Sequence, residues 1–397
     1  MSRILFWSPN YAPEPTGIPP LVTDACEWLA RQGHEVEAVT ALPNYPTRRI
    51  ERGYRGLRSC TERRGPVLLH RSWLRVRPGE TFVDKVLYEL TFATWSLPAA
   101  ARRIRAADVL VAVVPSLVAA MYGAALRRVL GGPRLVVWLQ DLVLQMAPAL
   151  ADLSAPRRTA LALAAMPERA AMRAADRLVV CSPGFRDHLV RLGVDRGKIR
   201  LVYNWVDAGW IVQTPPTNGA GLRALYAGNL GYTQGFETLV EAARSLDGGV
   251  EVEIVGEGNA SATVRSLAAG VPNVRVRPPV PHADFPALLA SADAHLVIQR
   301  RVGAGANFPS KIASYLASGR PIVASMSFDS PAAQLLRTSG AALLVPPEEP
   351  ASLAAAIERL RREPALREQL GSRGREFALQ LFDREASLRS LESAILS

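Results

Sequence analysis

Leu222-Arg223-Ala224-Leu225-Tyr226-Ala227 is followed by Gly228-Asn229-Leu230-Gly231-Tyr232-Thr233-Gln234-Gly235, and then by a helical pattern from Phe236 to Ser245. This reads as strand, glycine-rich turn and helix. Glycines at such a turn let backbone N–H groups and the positive end of a helix approach an anion. The same kind of start occurs at the beginning of the chain. Ile4-Leu5-Phe6-Trp7 is a short apolar strand, Thr16-Gly17 lies in the loop after it, and a helical pattern runs to Gln32. The two starts predict two nucleotide-binding-type α/β domains facing each other across a ligand cleft.

Working outward, short apolar strands alternate with helical patterns along the whole chain, the signature of parallel sheets with right-handed crossovers. Strands are predicted at Arg3–Trp7, Val36–Thr40, Val67–Arg71, Val109–Val113, Arg134–Leu139, Leu178–Cys181 and Ile199–Val202. In the second half they are predicted at Ala224–Ala227, Val250–Val255, Val274–Arg277, Ala294–Ile298, Pro321–Ala324 and Ala342–Val345. The first domain is expected over residues 1–208 and the second over 209–383, with the Pro/Gly-rich Thr214-Pro215-Pro216-Thr217-Asn218-Gly219 as a linker. A closing amphipathic helix within 384–397 has no strand after it and is expected to return to the first domain.

The 397 residues, 49% apolar and 21% charged, describe a folded globular chain of two ordinary domains. No apolar run has the length of a membrane span, and the N-terminus lacks a basic-then-apolar leader. Cys26, Cys60 and Cys181 are scattered and odd in number, which fits a reducing cytoplasm. The net charge of +11 is confined to the first half: residues 1–208 hold 29 Lys/Arg against 18 Asp/Glu, and the rest of the chain balances. Arg48, Arg49, Arg52, Arg55, Arg58, Arg63, Arg64, Arg71, Arg75 and Arg77 form one basic stretch suited to acidic lipids, a pyrophosphate-bearing acceptor or nucleic acid. The segment Phe82 to Leu97 that follows carries large apolar residues at helical spacing. It is either a core helix or a helix lying on a membrane surface beside the basic stretch.

Several chemistries are absent. There is no Asp-x-Asp pair to hold a metal on a sugar nucleotide, no zinc-binding His-Glu-x-x-His, no nucleophile elbow and no Walker phosphate loop. His34 is expected to pack or hydrogen-bond where the first helix meets the second strand, and His295 to be a satisfied core residue. His282 is either a turn residue or a base contact. Gly256-Glu257-Gly258 lacks the third glycine of a dinucleotide fingerprint and reads as a tight turn, with Glu257 expected near a bound nucleotide. The strongest cluster runs from Gln299 to Gly319. A strand ends at Ile298, Arg300 and Arg301 follow, then a glycine-rich loop, then Pro309-Ser310-Lys311 opening a helix. Ser310 suits an N-cap, and the converging cations imply close approach of a polyphosphate. Asp141 ends a strand on the side where ligands bind in such sheets; it is either a catalytic orienting group or a helix N-cap.

Together, Gly33-His34-Glu35-Val36, Asn204-Trp205-Val206-Asp207, the Gly228–Gly235 turn, Pro309-Ser310-Lys311 and Ala317-Ser318-Gly319-Arg320-Pro321 resemble the retaining glycosyltransferases of family 4, and within them the exopolysaccharide branch with the colanic acid enzymes. The resemblance covers nearly the whole chain. It implies the GT-B fold, two facing Rossmann-like domains. It also implies transfer of a sugar from a nucleoside-diphosphate sugar, with retention, to a saccharide or polyprenyl-linked acceptor. Donor contacts are then expected from Gly17, Gly228, Asn229, Gln234, Gly235, Glu257, Arg301, Ser310 and Ser314, with Asp141, Lys311 and Arg300 in catalytic roles. No cofactor and no metal is expected, since cations and N–H groups would stabilise the departing diphosphate. Nucleic acid is not an expected partner; an anionic membrane surface at the inner face of the cell membrane is. The chain departs from the family pattern in three places. Asn229 and Gln234 stand where a basic pair is usual, Ala306 and Ser314 where two Glu are usual, and Gln140 where His precedes Asp. These departures leave two other readings in play: a catalytically silent sugar-nucleotide-binding subunit, and an epimerase on the same fold.

Overall fold

The computed structural model describes residues 1–15, 17–77, 82–114, 116–140, 166–211, 221–301 and 311–397. The expected linker over 214–219, Asp141 and Ser310 lie outside these residues. The chain divides into two compact units: Met1–Tyr203 with Ser387–Ser397, and Asn204–Ala386.

In the first unit, β1 (Arg3–Trp7), β2 (Glu35–Ala41), β3 (Ser59–Arg64), β4 (Val67–Ser72), β5 (Val109–Val114), β6 (Arg134–Leu139), β7 (Arg177–Val180) and β8 (Ile199–Leu201) form one sheet in the order β3-β4-β2-β1-β5-β6-β7-β8. All pairs are parallel except β3 with β4. The order turns at β1, whose neighbours are β2 on one side and β5 on the other, so the crevice for a ligand opens beyond the carboxyl ends of β1 and β5. Central strands β5 and β6 are continuous apolar runs because helices cover both faces of such a sheet. The edge strand β3, Ser-Cys-Thr-Glu-Arg-Arg, was hidden within the basic stretch. Its charges suit a sheet edge, where they discourage pairing with another chain.

That strand also corrects the reading of Arg71. Its side chain is 1% exposed, not part of a surface patch. Nε pairs with Glu62 at 2.6 Å, while Nη1 and Nη2 donate to the carbonyls of Ala41 (3.1 Å) and Ala12 (2.5 Å). Burial with every polar edge matched turns this arginine into a brace between the loops after β1 and β2.

Helix α1 (Ile18–Arg31) begins at Gly17, whose φ of +82° a side-chain-bearing residue adopts poorly. Helix α2 (Phe82–Ile104) buries Tyr88, Phe92, Ala93, Ser96 and Ala100, so it is a core helix. Its outer face is nonetheless uncharged: between Val86 and Pro98 the exposed positions are Val86, Leu90, Thr94, Trp95 and Pro98. Among the described residues no helix is long and apolar enough to cross a membrane. His34 accepts from the Ser2 N–H at 3.2 Å and bonds Glu392 of the closing helix Arg384–Leu396 at 2.8 Å. Arg134 donates to the carbonyls of Ile395 and Leu396, fixing that helix end on the first unit. The three cysteines are free thiols.

The second unit is a six-stranded, wholly parallel sheet: β9 (Leu222–Ala227), β10 (Val250–Val255), β11 (Val274–Arg277), β12 (Ala294–Ile298), β13 (Ile322–Ser325) and β14 (Ala342–Val345), in the order β11-β10-β9-β12-β13-β14. Leu222 pairs with Val250 and Ala227 with Val255, so β9 and β10 end level and deliver Gly228 and Gly256 side by side. Apolar residues of Phe236–Arg244 and Pro350–Arg362 pack on this sheet to form its core. Glu253 is sealed in the strand layer between Arg223 and Arg277, which together hold its carboxyl below the usual range against the cost of burial.

Two buried carboxyls near the crevice of the first sheet carry a pH signature. Glu14, 3% exposed, accepts from the N–H groups of Asn44 and Tyr45 at 2.9 Å each, yet burial pushes its pKa up to about 7. Burial does the same to Glu89, also to about 7, with the Ser116 hydroxyl and Arg48 opposing. Tyr88 lies beside both, and Arg71 and Arg48 face Glu14. With folded pKa values raised, the folded chain binds more protons than the unfolded one. The stability they contribute is complete below the unfolded value and lost as pH rises through about 7. Melting temperature should therefore fall between about pH 4.5 and about pH 7, and the Glu14→Gln/Glu89→Gln double variant should flatten that slope. An unchanged slope in thermal melts of the double variant would show that both groups ionise freely.

Candidate functional site

The candidate site of the second unit is built from three loop segments at the carboxyl ends of β9, β10 and β12. The Gly228–Gly235 turn folds on itself: the Gly231 N–H donates to Gln234 Oε1 at 2.8 Å, and the Gln234 N–H to the Gly231 carbonyl at 3.2 Å. Leu230 donates to the Glu257 carbonyl at 3.0 Å, and the Ala260 N–H returns to the Leu230 carbonyl at 2.8 Å. The two glycine turns are thus laced together.

The fit leaves no room for side chains. A Cβ at Gly256 would lie 1.9 Å from the Gly228 carbonyl oxygen, and one at Gly258 would lie 2.4 Å from that of Leu230. Gly228 has φ +135° and lies against Lys311, whose Nζ is 3.2 Å from where a Cβ would be. Here the glycines are needed for close approach of backbone to backbone and to an ammonium.

Lys311 opens the short helix Lys311–Ala317. The residue as a whole is half-buried, but its Nζ is sealed from solvent and has no hydrogen-bond partner among the described residues. The ammonium sits 3.4 Å above the centroid of the Tyr226 ring. Burial pushes its pKa well below the usual lysine range. A cation held over an aromatic face gains some attraction from the ring quadrupole, but no countercharge. Tyr226, whose hydroxyl donates to the Asn229 carbonyl at 2.7 Å, was not singled out from the sequence, where it reads as an apolar strand residue. Tyr315 was missed in the same way. Its hydroxyl accepts from the Ala227 N–H (2.7 Å) and donates to the Ala227 carbonyl (3.0 Å), pinning the Lys311 helix to the end of β9.

The other expected site residues make separate contacts. Arg300 donates its backbone N–H to Thr233 (3.0 Å) and pairs with Glu237 at 2.7 Å, so it joins the turn while spending part of its charge there. Arg301 turns to the Pro347–Glu348 loop, with Nε 3.7 Å from Glu348 and its backbone N–H donating to the same carboxylate at 3.1 Å. Glu257 is exposed and pairs with Arg265 at 3.0 Å. Gln234 serves the turn's own backbone, and the Asn229 side chain lies against Gly258 and Gly231. Gly235 lies beside Ile298 and Arg300 at the start of the helix Phe236–Arg244. Ser314 is half-buried, one turn after Lys311. Gly17 belongs to the first unit.

The second unit contains two histidines, His282 and His295. His295 is fully buried, bonds Ser318 Oγ at 2.9 Å through Nε2 and stacks on Tyr315 at 4.2 Å; burial lowers its pKa to about 3, so it is neutral. His282 opens a 3₁₀ turn and stacks on Trp210 with ring centroids 4.3 Å apart. Among the described residues no group of three His, Cys, Asp or Glu could hold a metal ion.

Two α/β units, the second wholly parallel with a glycine turn against Lys311, fit the GT-B class of glycosyltransferase. Comparison with known proteins agrees. Residues 16–205 match the model of the glycosyl transferase 4-like domain, and residues 221–363 that of the glycosyl transferases group 1. The chain is 31% identical, over 98% of both proteins, to Escherichia coli (strain K12) WcaI, described as a colanic acid biosynthesis glycosyl transferase. It belongs to this glycosyltransferase family. Solved structures share the fold: sucrose-phosphate synthase of Thermosynechococcus elongatus (TM-score 0.75, 18% identity, 99% of this chain and 98% of that one) and Anabaena Alr3699/HepE in complex with UDP and glucose (TM-score 0.71, 15% identity, all of both chains).

The interlocked turns make a direct prediction. Gly256→Ala must displace the Gly228 carbonyl, at a cost of about 1–3 kcal/mol and a fall of roughly 2–10 °C in melting temperature. Gly248→Ala, with nothing within 4 Å of its Cβ, should melt close to the unaltered protein. Equal melting of the two variants in calorimetry would show that the turns are not in contact in solution.

Proposed function

We propose that the chain transfers a sugar from a nucleoside-diphosphate sugar to an acceptor during assembly of a cell-surface polysaccharide, retaining anomeric configuration. The second unit holds the donor and the first unit the acceptor, a saccharide or a polyprenyl-linked sugar. The observation that carries this reading is the Lys311 amino group, sealed between Gly228 and Tyr226 with no countercharge among the described residues. Burial there favours the neutral amine, and an arriving diphosphate supplies the negative charge that favours the ammonium. The family's retaining chemistry has the acceptor hydroxyl attack on the leaving-group face while the departing phosphate takes its proton. The protein then has to stabilise charge growing on that phosphate, for which a preorganised ammonium and backbone N–H groups suffice without a metal. Two relatives, WcaI with its colanic acid biosynthesis description and HepE with UDP and glucose bound, support the substrate classes.

The test is incubation with a panel of nucleotide sugars, with and without a lipid-linked acceptor and with and without EDTA, following nucleotide release. Acceptor-dependent release that survives EDTA is expected. Release restored only by manganese would move phosphate stabilisation to a metal, and no release with any donor would sink the transferase reading.

Lys311→Met sharpens it. The variant keeps the side chain's length and removes a charge that interacts more strongly as the leaving phosphate develops charge. Turnover should fall by roughly two orders of magnitude, a loss of about 3 kcal/mol of transition-state stabilisation, while the melting temperature holds or rises. Normal turnover with a lowered melting point would make Lys311 a structural residue.

The reading extends to the membrane surface. Arg58 lies over the Trp95 ring at 5.6 Å, and Trp95 packs edge-on against Trp73 at 5.7 Å, so the basic stretch adjoins the uncharged outer face of α2. Basic residues near an anionic leaflet contribute about 1 kcal/mol each. Vesicle co-sedimentation should rise with anionic lipid and fall with added salt; equal binding to neutral and anionic vesicles at low salt would remove the electrostatic part.

A further inference from the structure

The loop after β2 holds an open basin of about 460 Å³ lined by Thr47, Arg49, Ile50, Glu51, Arg52 and Arg55. The basin is shallow, and Thr47, Arg49, Glu51, Arg52 and Arg55 are exposed in it. Three guanidinium groups face it. None of the three has a carboxylate within ion-pairing distance among the described residues, Glu51 included; the one side-chain bond is from Arg55 Nε to the Ile50 carbonyl at 3.3 Å. Some other arginines of this unit do pair with acids: Arg71 with Glu62, Arg103 with Glu37 and Arg127 with Asp176.

The three are not on a loose tether. Buried Glu14 holds the start of the loop through the Asn44 and Tyr45 N–H groups. The Arg49 N–H donates to Asn44 (3.2 Å) and the Glu51 N–H to Pro43 (2.9 Å), so the loop closes on itself. At its far end the Tyr54 hydroxyl bonds Glu62 (3.1 Å), and buried Arg71 lies over the Tyr54 ring at 5.4 Å. Between these anchors Arg48 takes the left-handed conformation, φ +53°. The loop gathers three arginines against the single acid Glu51, so it presents net positive charge to an external anion. Guanidinium forks match phosphate oxygens two at a time, so three forks suit a group with more oxygens than one phosphate offers. The lining has no aromatic residue on which a base could stack, which disfavours single-stranded nucleic acid. The basin opens to solvent, so the anion can remain attached to a larger carrier.

We propose that Arg49, Arg52 and Arg55 seat a diphosphate group, that of a lipid-carried acceptor. The inference rests on the reading of the first unit as the acceptor side. It names a second phosphate site, on a different unit from Lys311.

The test uses the full chain carrying Lys311→Met, so that the second-unit cation does not contribute. Inorganic diphosphate, farnesyl diphosphate and farnesyl monophosphate are titrated calorimetrically. Farnesyl diphosphate should bind at least about tenfold tighter than the monophosphate, and the Arg49→Gln/Arg52→Gln/Arg55→Gln variant should lose at least about tenfold. Arg63→Gln/Arg64→Gln, an equally basic exposed pair on the sheet edge, should change little. Equal loss in both variants would reduce the effect to general charge and overturn the seat. Vesicles of phosphatidylcholine and phosphatidylglycerol distinguish the source. If the triple variant loses vesicle binding while farnesyl diphosphate never binds the unaltered basin, the anion is a bilayer headgroup and the acceptor assignment fails. Diphosphate binding that persists when no nucleotide sugar is turned over leaves the seat standing and removes the transferase reading; the opposite pattern removes the seat alone.

Discussion

Parallel strands deliver their following loops to one edge of a sheet, and that constraint places everything of chemical interest in this protein. In the second unit it is strict, because β9 and β10 run in register from Leu222–Val250 to Ala227–Val255 and stop together. Two glycine turns then have to share the space above adjacent strand ends about 4.8 Å apart. Only backbones without side chains fit, and the Gly256–Gly228 approach is the result. The same edge receives Arg300 from β12 and, through the Tyr315 hydroxyl on Ala227, the Lys311 helix. In the first unit the loops after β1 and β2 share the corresponding edge, tied by Glu14 and Arg71.

That constraint also explains what could be read from the amino-acid sequence. Buried parallel strands are short apolar runs, so Arg3–Trp7, Arg134–Leu139 and Val250–Val255 stand out by composition alone, as do the glycine turns that follow. Strand Ser59–Arg64 did not, because an edge strand pairs through one side and keeps charges that look like a solvated run. Side-chain roles were less legible for a related reason. Whether an arginine is free or paired depends on residues far away in sequence: Arg71 finds Ala12, 59 residues distant, and Arg300 finds Glu237, 63 residues distant. Local charge density could not separate Arg71, a core brace, from Arg49, an exposed cation. Tyr226 and Tyr315 were invisible because an aromatic residue in an apolar run is normally core, and here both are core as well as supports of Lys311.

Sorting cations by whether the protein neutralises them gives a sharper account than net charge. Arg223 and Arg277 share Glu253, and Arg300 and Arg301 have Glu237 and Glu348. These pairs set them apart from Lys311, whose Nζ has no partner among the described residues.

A stable fold does not need either feature. A methionine at position 311 would fill the space over Tyr226 without the cost of burying an amine, and a second acid beside Glu51 would offset more of the basin's charge. Native stability is only about 5–15 kcal/mol, so an unpaired buried charge is a sizeable fraction of the margin. The two cores, centred on Val111–Val137 and on Ala224–Ile254, carry that deficit through apolar burial. In the proposed reaction, Lys311 meets a charge that grows on the leaving phosphate, and the arginine basin meets one that stays fixed while its carrier is held.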